Sequence, residues 1–229
     1  MLPDNFNKKE FWLFDLDNTL YSPDTGIFSQ IDKKMKKFIS VKLNLSEEES
    51  FKLQKYYYSK YGTTLFGLMK HHKINPEEFC NFVHDVDFRK LEKSEELKSK
   101  LQILPGKKII YTNGDYNYAL KILKALGVSE VFLDIFDIKK SCYFPKPMEK
   151  SINMLIKKYK IEPKKSVYFD DLEKNLAFAS SLGITTIHIS KIVQNKNNSH
   201  IDLRFKTIIN ALDMIIQKLK NGKKSEYRN

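Results

Sequence analysis

With 229 residues, 41% of them hydrophobic and 30% charged, the chain can bury one sizeable core with a large insertion, in the manner of a soluble globular protein. No run reaches the roughly 18 apolar residues of a membrane helix. The N-terminal "MLPDNFNKKEFW" lacks an apolar stretch of signal-peptide length, so the expected compartment is the cytoplasm.

The net charge of +12 would suit a nucleic-acid binder, or an enzyme that attracts an anionic substrate. The lysines, however, are scattered through "DKKMKKF", "LKSKLQ", "IKKYKIEPKKS" and "KLKNGKK", where amphipathic helices place their wet faces.

The first expected strand is "EFWLFD", residues 10–15. Residues 22 to 100 then read as helices only. Ile31, Met35, Phe38, Ile39 and Leu43 follow helical spacing. Ser46 with Glu49 forms a capping-box pattern that opens "SEEESFKLQKYYYSKYG", and Gly62 closes it. Further helical stretches are expected near 64–72 and 76–84. Just after the latter, in "NFVHDVDFRKLEK", Asp85-Val86-Asp87 reads as solvated surface in a polar helical setting.

From "LPGKK" (104–108) onward, β-rich runs at 107–112, 131–136, 166–170 and 185–189 alternate with helical patterns. "YALKILKALGV" puts Leu120, Leu123 and Leu126 on one side and stops at Gly127. "PMEKSINMLIKKYK" opens with Pro147 in its first turn, and "LEKNLAFASSLG" ends at Gly183. A last amphipathic helix is expected near 206–220, followed by a frayed polar tail, "NGKKSEYRN". Cys80 and Cys142 match no metal or redox spacing and read as buried free thiols in a reducing compartment. The fold class is therefore α/β: a doubly wound, mostly parallel, Rossmann-like sheet with an inserted all-helical cap. The expected core is residues 1–21 and 101–229, and the cap 22–100.

"FWLFDLDNTLY" sets Asp15 and Asp17 at the end of a buried-looking strand. With 14 Asp in the chain, chance alone supplies about one such D-x-D pair, so the pair by itself carries little. Other strands nonetheless send polar groups to the same edge. "IIYTNGD" ends on Thr112 and Asn113, "VYFDD" on Asp170 and Asp171, and "CYFPKPMEK" fixes Lys146 between two prolines. Each has a plain alternative as a turn, a helix cap or a loop lysine. Open parallel sheets bind ligands outside the carboxyl ends of their strands. Four carboxylates gathered there would repel one another unless a divalent cation compensates them. Oxygen ligands without His or Cys suit Mg²⁺ rather than zinc, and the hydroxyl, amide and ammonium suit phosphate oxygens.

"FDLDNTLY", "YTNG", the lysine of "PKP" and "YFDD" resemble the four ordered motifs of the haloacid dehalogenase superfamily of phosphatases. The helical insertion, with "YYYSKYGTTLFGLMKHHKINPEEF", resembles the cap of the yeast-type pyrimidine 5′-nucleotidases. The resemblance implies that Asp15 attacks phosphorus to form an aspartyl-phosphate, and that Asp17 is the general acid and then base. It also implies that Thr112, the Asn113 amide and Lys146 bind the phosphoryl group. Mg²⁺ would be held by Asp15, the Asp17 carbonyl and Asp171, with Asp170 assisting and Asn175 in support behind them. Dehalogenases of the superfamily lack the second Asp, so Asp17 points to a phosphatase.

The expectation is a Mg²⁺-dependent phosphomonoesterase acting on UMP or CMP, a monomer or weak dimer with no membrane or nucleic-acid partner. The alternatives are phosphatases for a sugar phosphate, phosphoglycolate, pyridoxal phosphate or lysophosphatidate, and more remotely an idle nucleic-acid-binding protein. Tyr21 begins the hinge of the cap. Tyr56, Tyr57, Tyr58, Tyr61, Phe66 and His71 are candidates to contact a nucleobase, although Tyr57 and Tyr61 share a helical face and could be cap core.

Overall fold

The computed structural model describes residues 6–192 and 198–226. Six strands form one sheet: β1 (Phe11–Phe14), β2 (Lys107–Tyr111), β3 (Asp134–Phe136), β4 (Ser166–Asp170), β5 (Thr185–Ile189) and β6 (Leu203–Phe205). Their order is β3-β2-β1-β4-β5-β6, and every pairing is parallel. The order reverses between β1 and β4, which makes the crevice beyond their carboxyl ends the place for a ligand.

All four residues of β1 are buried because the sheet is covered on both faces. Trp12 and Phe14 join Ile110, Val167 and Phe169 in one layer. Leu13 joins Ile109, Tyr111 and Tyr168 in the other. Phe14 stacks on Phe169 at 4.6 Å, directly across the β1–β4 pairing. Burying side chains of this size stabilises by about 1.5–3 kcal/mol each. The acids that follow β1 and β4 therefore sit on a stiff edge.

Between β1 and β2 lie five helices: α1 (Ile27–Leu43), α2 (Glu47–Tyr61), α3 (Thr64–His72), α4 (Pro76–Val83) and α5 (Glu95–Ile103). Ser46 and Glu49 form the expected capping box on α2, and Asn75 with Pro76 starts α4. Helices α1 to α4 pack on one another, whereas α5 packs on α9 (Ile208–Glu226). The remaining helices are α6 (Tyr116–Ala125), α7 (Glu149–Tyr159) and α8 (Glu173–Ser181). Among the described residues no helix is long and apolar enough to cross a membrane.

Several local expectations are corrected. The strand expected from 131 shrinks to Asp134–Phe136, because Ser129–Val131 close a 3-10 turn with the Val131 amide donating to Val128. Pro147 precedes α7 rather than opening it: the Lys146–Pro147 peptide is cis, and the Met148 amide donates to the Pro145 carbonyl in a turn ahead of the helix. Asp85 and Asp87 are exposed as expected but lie beyond the end of α4, paired with Lys34 and Arg89 at 2.7 Å each. Cys80 is buried, but Cys142 is exposed. Helix α9 continues through much of the tail expected to fray, whose last three residues lie outside the described residues.

Candidate active site

Asp15 directly follows β1, and its amide continues the ladder by donating to the Phe169 carbonyl at 2.9 Å. Its Oδ1 accepts from Lys146 Nζ at 2.6 Å and its Oδ2 from Thr19 Oγ1 at 2.9 Å. Lys146 reaches it from the loop after β3 and donates at 2.9 Å both to Asp170 Oδ2 and to the Tyr111 carbonyl. Asn113 secures that loop: its Oδ1 accepts from the Lys146 amide at 2.8 Å, and its Nδ2 donates to the Lys146 carbonyl. Gly62, just past α2, abuts the same carbonyl. A Cβ there would stand 2.8 Å from it, and the φ of +88° also favours glycine.

Asp170 is fully buried at the end of β4, and donors occupy both of its oxygens. Oδ1 accepts from the Leu172 amide at 2.9 Å and Asn175 Nδ2 at 2.8 Å, while Oδ2 accepts from Lys146 and Tyr168. One oxygen each of Asp15, Asp170 and Asp171 lie within 4.8 Å of one another. Asp17 Oδ1 accepts from the hydroxyls of Tyr21 and Tyr118, which leaves Oδ2 as its outward oxygen. Thr112 is buried beside Asp15 in the cavity wall, and its Oγ1 accepts from the Gly114 amide at 2.9 Å. Every residue expected at the rim is thus found there.

The electrostatics are those of too many anions around one cation. Burial, with Asp170 and Asp17 adding to it against the pull of Lys146, pushes the Asp15 carboxyl up to about 7. Burial and the charges of Asp15 and Asp170 push Asp171 up to about 8. Lys146 goes the other way: burial alone would lower it, but Asp15 and Asp170 hold it above its ordinary value, fully protonated. The unmet negative charge and the all-oxygen donor set fit a hard divalent cation such as Mg²⁺.

A cavity of about 280 Å³ opens over this rim. Its far wall comes from the inserted helices, with Phe28, Ile31 and Met35 of α1, Gln54 and Tyr58 of α2, and Phe79 of α4. Within the tyrosine run Tyr58 is the residue that faces the cavity, with Lys174 Nζ 4.1 Å from its ring centre. Tyr57 is buried and bonds His72 at 2.7 Å, Tyr61 bonds His71 at 2.6 Å, and Phe66 packs near Phe144. Tyr56 is exposed beside Lys60. Four contributors escaped sequence reasoning. Thr19 and Tyr168 could have been found, being one helical turn from Asp15 and on the same strand face as Asp170. Tyr118, 101 residues from Asp17, left no such signal, and neither did Gln54.

A family model described as haloacid dehalogenase-like hydrolase matches residues 12–183. Phosphate metabolism protein 8 of Saccharomyces cerevisiae is 25% identical over an alignment of 219 positions, gaps included, that covers 85% of this chain and 65% of that protein. The chain therefore spans just under two-thirds of that relative's length. Among solved structures, a HAD phosphatase from Thermococcus onnurineus superposes with a TM-score of 0.61 at 20% identity, over 90% of this chain and 97% of that one. A 2-haloacid dehalogenase from Pseudomonas syringae pv. Tomato DC3000 gives 0.59 at 15% identity, over 92% and 99%. One fold thus serves two chemistries, and the rim residues have to decide between them.

Proposed function

The chain belongs to the haloacid dehalogenase-like hydrolase family, and from that premise we propose that it is a Mg²⁺-dependent phosphomonoesterase, with pyrimidine nucleoside 5′-monophosphates as its leading substrates. The observation that carries this is the convergence of Asp15, Asp171 and Lys146 on one rim, with Asp17 alongside. A halide leaves without a proton, whereas an ester oxygen needs one, and Asp17 is placed to supply it.

In this scheme an Asp15 carboxylate oxygen attacks phosphorus, the P–O ester bond breaks, and Asp17 Oδ2 protonates the departing oxygen. Tyr21 and Tyr118 hold Oδ1 and so keep Oδ2 turned outward. Water then attacks the aspartyl-phosphate, Asp17 takes its proton, and phosphate leaves with Asp15 restored. Lys146, the Thr112 hydroxyl and the Asn113 amide bind the phosphoryl oxygens and stabilise the charge that develops. Asp15, the Asp17 carbonyl and Asp171 would hold Mg²⁺, which neutralises charge on the phosphoryl group when bound. Asp170, with its oxygens engaged, serves by aiming Lys146, and Asn175 serves by holding Asp170.

We assign leaving-group selection to α1–α4 and end the cap near residue 94, because α5 packs on α9. Tyr58 offers an aromatic face for a pyrimidine. Gln54 gives its amide nitrogen to Asp32 Oδ1 at 2.8 Å, which turns its carbonyl oxygen away as an acceptor. A second substrate class is favoured by the apolar wall of Phe28, Ile31, Met35 and Phe79, which suits an acyl-bearing leaving group such as that of lysophosphatidate. Initial rates on UMP, CMP, sugar phosphates and lysophosphatidate, with Mg²⁺ and with chelator, test both. Equal rates on UMP and simple sugar phosphates would contradict nucleobase recognition.

A further inference from the structure

On the α4 side of the cavity, Cys80 and His84 stand four residues apart on one helical face, and both line the cavity. The His84 ring stacks on Tyr118 at 4.3 Å and 17°, and its Nδ1 meets Oδ2 of Asp115. Asp115 caps α6, its Oδ1 accepting from the Tyr118 amide at 3.1 Å, so its carboxylate cannot swing away. Cys80 Sγ, the imidazole nitrogen and the Asp115 oxygen all lie within 4.8 Å of one another. Sulfur, nitrogen and oxygen donors at this separation are a zinc-type set, and the adjoining cavity leaves room for a fourth ligand.

We propose that Cys80, His84 and Asp115 form a second metal site, selective for a thiophilic divalent ion of the zinc type and separate from the carboxylates of Asp15 and Asp171. Binding breaks the S–H bond and the Nδ1–H bond of the present contact. The thiol proton goes to solvent, the imidazole hydrogen passes from Nδ1 to Nε2 by exchange with solvent, and sulfur and nitrogen give their electron pairs to the ion. A hard ion such as Mg²⁺ gains little from a sulfur ligand, whereas a thiophilic ion binds thiolate and displaces the thiol proton.

The site joins α4, which packs with the inserted helices, to α6, which follows β2, so the ion pins the two walls of the cavity together. It also sits against Tyr118, which holds Asp17. Loading therefore slows turnover, an effect that rests on the hydrolase scheme above, whereas the binding itself does not.

The test is a Co²⁺ titration of the full chain in saturating Mg²⁺, followed by the near-ultraviolet thiolate-to-cobalt band. The expected result is a band that saturates at one equivalent, disappears when Zn²⁺ is added, survives Cys142→Ser and is lost in Cys80→Ser. His84→Gln and Asp115→Asn, which leave the buried thiol in place, should each weaken Co²⁺ binding by about 10-fold or more. Absence of the band in the full chain, its survival in Cys80→Ser, or unchanged affinity in both other variants would overturn the proposal.

Discussion

Across the cavity the sheet rim and helices α1–α4 offer different surfaces. On the rim Asp170 is wholly buried, Lys146 is 3% exposed and Asp15 6%, and Lys146 holds both acids through short hydrogen bonds. On the helical wall Phe28 is 42% exposed and Tyr58 37%, and Lys55 pairs with Asp32 near solvent. A buried pair that loses one partner strands a charge, whereas a solvated pair loses almost nothing. The rim thus tolerates little change and carries the chemistry, while the opposite wall can vary and choose what is hydrolysed.

The largest test of that contrast is Asp15→Asn, which should lower kcat by about 10⁴-fold or more while leaving the far-ultraviolet spectrum intact. Retained turnover would show that the rim is not the reacting surface. Next is a pair of lysines. Lys146→Ala leaves Asp15 and Asp170 buried without their shared cation, so urea unfolding should show a loss of about 3–5 kcal/mol. Lys55→Ala, on the solvated wall, should lose less than about 1 kcal/mol. Comparable losses would erase the distinction between the walls.

Metal removal gives a smaller effect with a definite sign. Burial and mutual repulsion push the Asp15 and Asp171 carboxyls up to about 7 and about 8 in the folded chain, above the ordinary carboxyl value of about 4. Their contribution to stability is therefore complete below pH about 4 and is lost as pH rises through 7 to 8. Mg²⁺ relieves that repulsion, so the rise in Tm on adding Mg²⁺ after chelation should be greater at pH 8 than at pH 5. An equal rise at both pH values would mean that the ion binds elsewhere. At the small end, Tyr58→Ala should raise KM several-fold with little change in kcat. Tyr57→Phe should leave both kinetic constants alone and cost only about 0.5–1.5 kcal/mol through the lost His72 bond.

The same contrast explains what could be read from the sequence. Asp15, Thr112, Asp170 and Asp171 were legible because each ends or directly follows an apolar run that had to be a buried strand, and parallel strands bring their carboxyl ends to one rim; Lys146 was legible from the two prolines that bracket it. The order in which donors satisfy those acids was not legible. Tyr118 reaches Asp17 only because α6 starts just beyond the carboxyl end of β2, the neighbour of β1 in the sheet, and Asp170 is taken up by Lys146, Tyr168 and Asn175 rather than standing free. Strand β6 has three residues, too few to show a period, and the 3-10 turn at Ser129–Val131 runs into the start of a β-rich run. In the tyrosine run helical spacing separated Tyr57 and Tyr61 from the rest, but only the docking of α2 over the rim singled out Tyr58.

The most direct measurement is acid-quench trapping with radiolabelled phosphomonoester and Mg²⁺, followed by peptide mapping. The account predicts a hydroxylamine-labile phosphoryl group on the peptide that contains Asp15, accumulating further in Asp17→Asn and absent in Asp15→Asn. Label on any other residue, or hydrolysis that persists at the native rate in Asp15→Asn, would contradict it.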